Sequence, residues 1–181
     1  YILGTTTFYR LKMIIKKGAL IPRNETEELV DWVIKDNNKS IKSYLDIGTG
    51  SGCIIIALAK HLEGTFDALD ISREALKIAR DNCTLQKVNV HPIEFDIMND
   101  NLSSKWDVIV SNPPYVTSSD QKHMHKNVLE REPEIALFAD ENNPLLYYNR
   151  IADQARTSLN KNGLLYFEIN EKYGNLVVDM L

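Results

Sequence analysis

Four short stretches carry residues whose types and spacing suit chemistry. The first is Asp46-Ile-Gly-Thr-Gly-Ser-Gly52, which lies between an apolar run and a helical pattern. There the chain must turn sharply and let a ligand approach its backbone, and glycine permits both. A dinucleotide fingerprint would put a third glycine at position 53, but that position is Cys53 and the glycine comes one residue early. No Lys-Ser/Thr pair follows, so the loop reads neither as a pyrophosphate cradle nor as a P-loop. What remains is a glycine loop headed by an acid, Asp46, suited to a ligand with a cationic amino group and no phosphate. S-adenosylmethionine is such a ligand. Asp70 stands 20 residues after Gly50, at the end of the next strand, where a carboxylate can accept both hydroxyl hydrogens of a ribose. Asp96, followed by Ile97, ends the third strand beside the expected adenine.

The fourth stretch, Asn112-Pro-Pro-Tyr115, follows the apolar run Val108-Ile109-Val110. Two prolines fix φ, remove two backbone donors and force Asn112 and Pro113 into extended conformations, which leaves carbonyls that can only accept. The side-chain oxygen of Asn112 adds an acceptor. Such a site holds an NH₂ group by its two hydrogens and aims the nitrogen at a methyl donor. An amide lone pair is delocalised, with a rotation barrier of roughly 18–20 kcal/mol, so some twisting must accompany attack. Rigid acceptors favour it, because their hydrogen bonds strengthen as positive charge grows on nitrogen. A strong general base is unnecessary, since the methylated nitrogen sheds its proton readily. Tyr115 can stack on a planar acceptor or offer its ring face to the sulfonium.

The elements that must position these residues follow from periodicity. Phe8 to Ile15 reads as an edge hairpin, and Glu25 to Ile34 as a helix with a capping box from Asn24 to Glu27. Strands are expected at Tyr44–Ile47, Phe66–Leu69, Val88–Phe95, Asp107–Ser111 and Leu164–Ile169. Helices are expected at Ile54–Leu62, Arg73–Leu85 and Leu145–Leu159, with Gly163 breaking the last. The alternation implies an α/β fold: a Rossmann-like, mostly parallel twisted sheet of order 3-2-1-4-5 with helices on both faces. In that order strands one and four are central neighbours, so the glycine loop and Asn112 face each other across one crevice. Residues 1–24 read as a hairpin and linker segment, and 25–181 as the domain proper.

Composition narrows the partners. A length of 181 residues with 44% hydrophobic content suits one core, and a net charge of -4 disfavours a duplex nucleic-acid binder. Cys53 and Cys83 sit inside helical patterns and read as buried free thiols of a reducing cytosol. No apolar run is long enough for a membrane span. The expectation is a cytoplasmic monomer with no metal and no membrane. The chain starts at Tyr1 and stops at Leu181 within a helical pattern, which suggests a fragment.

The chain resembles the release-factor glutamine methyltransferases, also called protein-(glutamine-N5) methyltransferases, within the class I fold. The resemblance is carried by Tyr1-Ile-Leu-Gly4, Ile21-Pro-Arg-Asn-Glu-Thr-Glu27, Asp46 to Gly52, Asn112 to Tyr115 and Glu132-Pro-Glu-Ile-Ala-Leu137. It implies that Gly48, Thr49, Gly50, Ser51, Gly52 and Asp70 bind S-adenosylmethionine, leaving S-adenosylhomocysteine. It also implies that Asn112, Pro113, Pro114 and Tyr115 hold the glutamine of the Gly-Gly-Gln loop of a peptide-chain release factor. The chain departs from the family at Asn24, often Pro, at Ile97, often Trp, and at Asp140–Pro144, often glycine-rich. Members also carry an N-terminal helical domain and a final strand pair, neither of which is read in this chain.

Other readings stay open. Lys122-His-Met-His-Lys126 invites a metal or RNA reading, but histidines two apart share no helical face. Glu168 and Glu171 follow the fifth strand and could reach the crevice, although strand-end acids are usually structural. The rival functions are methylation of an exocyclic amine on a DNA or RNA base, and cofactor binding by a truncated chain without turnover.

Overall fold

The structure, a computed structural model, describes residues 4–114 and 143–181. The expectations for Tyr115, the Lys122–Lys126 stretch, the Glu132–Leu137 segment and residues 1–3 lie outside the described residues. In chain order the elements are β1 (Thr5–Phe8), β2 (Leu11–Ile14), α1 (Glu25–Asn37), β3 (Lys42–Ile47), α2 (Cys53–His61), β4 (Gly64–Asp70) and α3 (Arg73–Gln86). There follow β5 (His91–Glu94), β6 (Trp106–Ser111), α4 (Leu146–Ser158), β7 (Leu159–Phe167), a 3₁₀ turn at Glu171–Tyr173 and α5 (Gly174–Met180).

Strands β5-β4-β3-β6-β7 form a parallel sheet in that order, and β1-β2 form a separate antiparallel hairpin. Counted from β3, the order is 3-2-1-4-5 as expected. Alternation along the central strands splits the core into two layers. Tyr44, Val108 and Val110 pack on one face with Val30 and Val33 of α1 and Ile55 and Leu58 of α2. Leu45, Ile47 and Ile109 pack on the other with Ile151 and Ala155 of α4. Ile55 and Leu58 are fully buried, and burial of such a side chain contributes about 1.5–3 kcal/mol.

Several boundaries differ from the sequence expectation for physical reasons. The hairpin begins at Thr5 rather than Phe8, and turns at Tyr9 and Arg10, with φ of 48° and 61°. That is the two-residue, positive-φ turn that hairpins favour, made here without the usual Asn-Gly signal. The capping box does not form: Asn24 is itself helical and makes no side-chain cap bond. Glu27 instead accepts from the Tyr9 N–H at 2.7 Å, which ties α1 to the hairpin tip. Gly163 does not break a helix but lies within β7, beside Asn162 at φ 65°. There the register slips from Trp106 against Leu159 to Val108 against Leu164, so the extra residues bulge out of the ladder. The third strand is shorter than expected because Lys87 ends α3 in a left-handed conformation and Val88 N–H returns to the Cys83 carbonyl.

The hairpin is bound to the rest of the fold through Asn82 of α3, which is fully buried. Its amide accepts from Ile14 N–H at 2.6 Å and donates to the carbonyls of Ile14 at 3.1 Å and Ser51 at 2.9 Å. Asn82→Ala leaves the part-buried Ile14 N–H and carbonyl and the buried Ser51 carbonyl short of a partner, and a fully buried loss of this kind costs about 1–3 kcal/mol. The expected result is a fall in unfolding free energy of at least roughly 2 kcal/mol, read from urea midpoints at constant slope. A change below experimental error would show that the hairpin is held without Asn82, by apolar contacts and by bonds such as that from the Tyr9 N–H to Glu27.

Candidate functional site

The glycine loop emerges from β3 because Gly48, Gly50 and Gly52 adopt φ of 74°, 56° and 80°, values that side chains strain to reach. At Gly52 there is a second reason for glycine. A Cβ there would stand 3.2 Å from the Cβ of Ala79 and 3.0 Å from Ile56 Cδ1, so the residue lets α3 close onto the start of α2. The close-packing role that a dinucleotide fingerprint gives its third glycine is thus performed one position early. The loop is anchored by Gly48 and Thr49 N–H groups, both donating to the Leu69 carbonyl at 2.9 Å.

Asp70 is the hub of the neighbouring strand end. Its Oδ2 accepts from the Gly50 N–H and its Oδ1 from the Ser72 N–H, each at 2.8 Å. Burial raises its pKa against the lowering effect of those bonds. Across the crevice, β6 pairs with β3 so that Ser111 stands opposite Ile47, and the Ser111 hydroxyl donates to the Ile47 carbonyl at 2.7 Å. The peptide that leaves β6 as Asn112-Pro113-Pro114 is therefore held against the root of the glycine loop.

Together these residues line one cleft that opens to solvent. The cleft brings together Gly48, Gly50, Asp70, Asp96, Ile97, Asn112, Pro113 and Pro114. Asp46, Thr49, Ser51 and Gly52 stand behind it. Asp46 points to the α1 and α2 face by the alternation of β3, and is fully buried. Its Oδ2 accepts from the Thr49 hydroxyl at 2.6 Å, and Oδ1 is buried without a hydrogen-bond partner among the described residues. Burial pushes its pKa up to about 7. Asp46 thus braces the loop from behind, where the sequence placed it as the loop's ligand-facing head. Among the described residues no group of His, Cys, Asp and Glu could hold a metal ion.

Asp96 uses both oxygens locally, accepting from Met98 N–H at 2.9 Å and Asn99 Nδ2 at 2.7 Å. The Asn99 amide holds its carboxyl below the usual range. Arg150 of α4 fixes the loop beyond it, donating to the carbonyls of Ile97 at 2.8 Å and Asp100 at 2.7 Å. Sequence reasoning missed Ala19, Ile71, Phe95, Met98, Tyr147 and Ile151, which give the cleft its apolar walls. Ile71 and Phe95 flank acids already singled out, and that adjacency was a usable signal. Nothing local marks Ala19 or Tyr147, which reach the cleft from the hairpin side and from α4.

The arrangement fits a nucleoside. Apolar walls suit a purine, and Asp70 retains acceptor capacity beside two backbone donors. Residues 26–136 match the model of the methyltransferase small domain. The chain is 49% identical over 187 residues to the release factor glutamine methyltransferase of Flavobacterium psychrophilum, and 46% over 184 residues to that of Bacteroides thetaiotaomicron. Each match covers 100% of this chain and 66% of the relative, so the chain spans about two thirds of the length of these relatives. Among solved structures, the ribosomal protein L11 methylase of Lactobacillus delbrueckii subsp. bulgaricus superposes with a TM-score of 0.66 at 20% identity, over 91% of this chain and 70% of that one. A methyltransferase from Pyrococcus furiosus superposes with a TM-score of 0.67 at 17% identity, over 95% and 77%. At these identities the two structures bear on the fold alone.

Proposed function

The chain belongs to the methyltransferase small domain family, and from that premise we propose that it methylates the side-chain amide nitrogen of the glutamine in a release factor's Gly-Gly-Gln loop. The observation that carries the reading is the bond from Ser111 Oγ to the Ile47 carbonyl, with the parallel pairing around it. It brings the glycine loop and the Asn112-Pro113 peptide to one cleft. The names of the relatives supply the acceptor class.

S-adenosylmethionine, when bound, would supply an electrophilic methyl group. Asp70 would hold the ribose, Gly48 and Gly50 would let the backbone approach, and Ile71, Phe95, Ile97 and Tyr147 would wall the base. Tyr147 and Met98 supply bulk near Ile97, where the family often has Trp. The site's fit rests on Asp70: a half-buried carboxylate that accepts from two backbone donors, has acceptor capacity left over and lines the cleft.

The acceptor end needs only hydrogen-bond acceptors. Oδ1 of Asn112 and the carbonyl of Pro113 would take the two N–H hydrogens of the glutamine amide. Pro114 has no N–H to compete with them. As charge develops on the amide nitrogen those bonds strengthen, so they stabilise the transition state more than the bound ground state. The surplus proton leaves to water, because a methylated amide cation is strongly acidic.

The reading is tested with radiolabelled S-adenosylmethionine and a purified release factor, with and without Gln→Ala in its Gly-Gly-Gln loop. Label is expected on the unaltered factor and absent from the variant. Label on the variant, or transfer to ribosomal RNA in place of the factor, would end the glutamine assignment.

A further inference from the structure

Glu168 follows β7 directly, and its backbone is fixed on both sides. Its N–H donates to the Ser111 carbonyl at 3.0 Å, and its own carbonyl accepts from the buried Tyr148 hydroxyl at 3.1 Å. Ser111 precedes Asn112, so the Glu168 carboxyl stands beside the residue assigned the acceptor grip. Two side chains donate to that carboxyl: the Thr26 hydroxyl from the first turn of α1, and the Asn112 amide. Thr26 is buried, and Oε2 of Glu168 is buried without a partner among the described residues. Asn112 lines the cleft, whereas Glu168 does not.

A carboxylate can only accept, and an asparagine side chain offers hydrogens only from Nδ2. Contact with Glu168 therefore decides which end of the Asn112 amide is left for the cleft. Resting on the acceptor reading above, we propose that Glu168 is a positioning residue: its carboxylate holds Nδ2 of Asn112 and so presents Oδ1 to the acceptor's NH₂ group. The Thr26 hydroxyl keeps the carboxylate in place, which gives the Pro22-Arg-Asn-Glu-Thr-Glu27 stretch a part in the reaction although Thr26 lies outside the cleft lining. A protonated carboxyl would instead offer its hydrogen to Oδ1, compete with the acceptor and let the amide turn over.

The groups facing this carboxyl set where protonation occurs. Burial raises its pKa and Glu25 adds to that, while the Thr26 and Asn112 bonds and Arg23 lower it; the balance lies above the ordinary glutamate value. Cys53, on α2, also faces it. Since the ionised form positions Asn112, kcat is expected to fall as pH drops through this raised value.

The test uses Glu168→Gln and Thr26→Val with labelled release factor, calorimetry of S-adenosylmethionine binding, and nitrogen NMR of the Asn112 side chain. For Glu168→Gln, kcat is expected to fall about 10–10²-fold with cofactor affinity nearly unchanged, and the acid limb of the kcat profile disappears. The Asn112 NH₂ signal titrates with that limb in the unaltered protein and no longer does so in the variant. Thr26→Val removes a bond that favours the ionised form, so the limb moves to higher pH. Wild-type kcat in Glu168→Gln, an unmoved limb in Thr26→Val, or an Asn112 signal blind to pH would each overturn the proposal. Should the unaltered protein label no release factor, the acceptor reading fails, and the NMR titration still decides whether Glu168 governs Asn112.

Discussion

Replacing Asn112 by Ala is expected to lower kcat for methyl transfer by on the order of 10²–10³-fold, the usual consequence of removing one well-aimed transition-state hydrogen bond. Cofactor affinity is expected to remain nearly intact. The size of the effect depends on where Asn112 is held. The peptide after β6 cannot shift toward the glycine loop or away from it, because Ser111 is locked to Ile47 by the strand register and by its own side chain. Neither Pro113 nor Pro114 has an N–H, so neither can take over as donor or be recruited into a helix that would move the peptide. Truncation removes an acceptor without opening another, and the neighbouring Ser111 hydroxyl is committed to the Ile47 carbonyl. Its bond matters most when the acceptor nitrogen carries positive charge, so the loss appears in kcat more than in KM. Single-turnover labelling of a release factor, with calorimetry alongside, separates the two. A variant that turns over at the unaltered rate would mean that backbone carbonyls hold the acceptor amide without help.

What the sequence disclosed, and what it withheld, divides along a physical line. The sheet order was legible because buried parallel strands are near-continuous apolar runs, and Val108-Ile109-Val110 is such a run, as is Tyr44–Ile47 but for Asp46. The cleft was legible for the same reason, since strand order fixes which loop tips are neighbours. Features set by tertiary partners were not. Asn24 and Glu27 have the composition of a capping box, but Glu27 is drawn to the Tyr9 N–H by the hairpin tip, a partner that local spacing cannot reveal. Asp46 reads as a ligand-facing acid until the pleat is counted, which turns it toward α1 and α2. Tyr147 and Ile151 reach the cleft because α4 crosses the sheet above β3 and β6, and no motif marks a residue chosen only for bulk. Glu168 could be seen as a strand-end acid, but its donors Thr26 and Asn112 come from opposite parts of the chain.

Asp70→Ala is expected to weaken S-adenosylmethionine binding by on the order of 10²-fold or more, because bonds to an ionised group are worth about 1.5–3 kcal/mol each. Asp70 acts on both sides of the cleft wall: it would accept from the ribose, and it already holds the Gly50 and Ser72 N–H groups that shape the loop. Removing it loses the ligand bonds and releases the Gly50 N–H, while the bonds of Gly48 and Thr49 to the Leu69 carbonyl still anchor the root of the loop. Stability is expected to respond differently, which allows the two roles to be separated. Burial raises the folded pKa of Asp70. Its protonation thus favours folding below its unfolded value, and that contribution is lost as pH rises through the folded value. At neutral pH the buried charge opposes folding, and Asp70→Asn drops that charge while losing one of the two backbone bonds, so the variant should unfold at a urea concentration close to that of the unaltered protein. The same variant should still bind the cofactor less tightly, since a neutral amide cannot accept at both oxygens. A clear loss of affinity by calorimetry with little change in the urea midpoint at neutral pH is therefore expected if Asp70 is a ligand residue. Parallel losses in both would make it a structural anchor of the loop and nothing more.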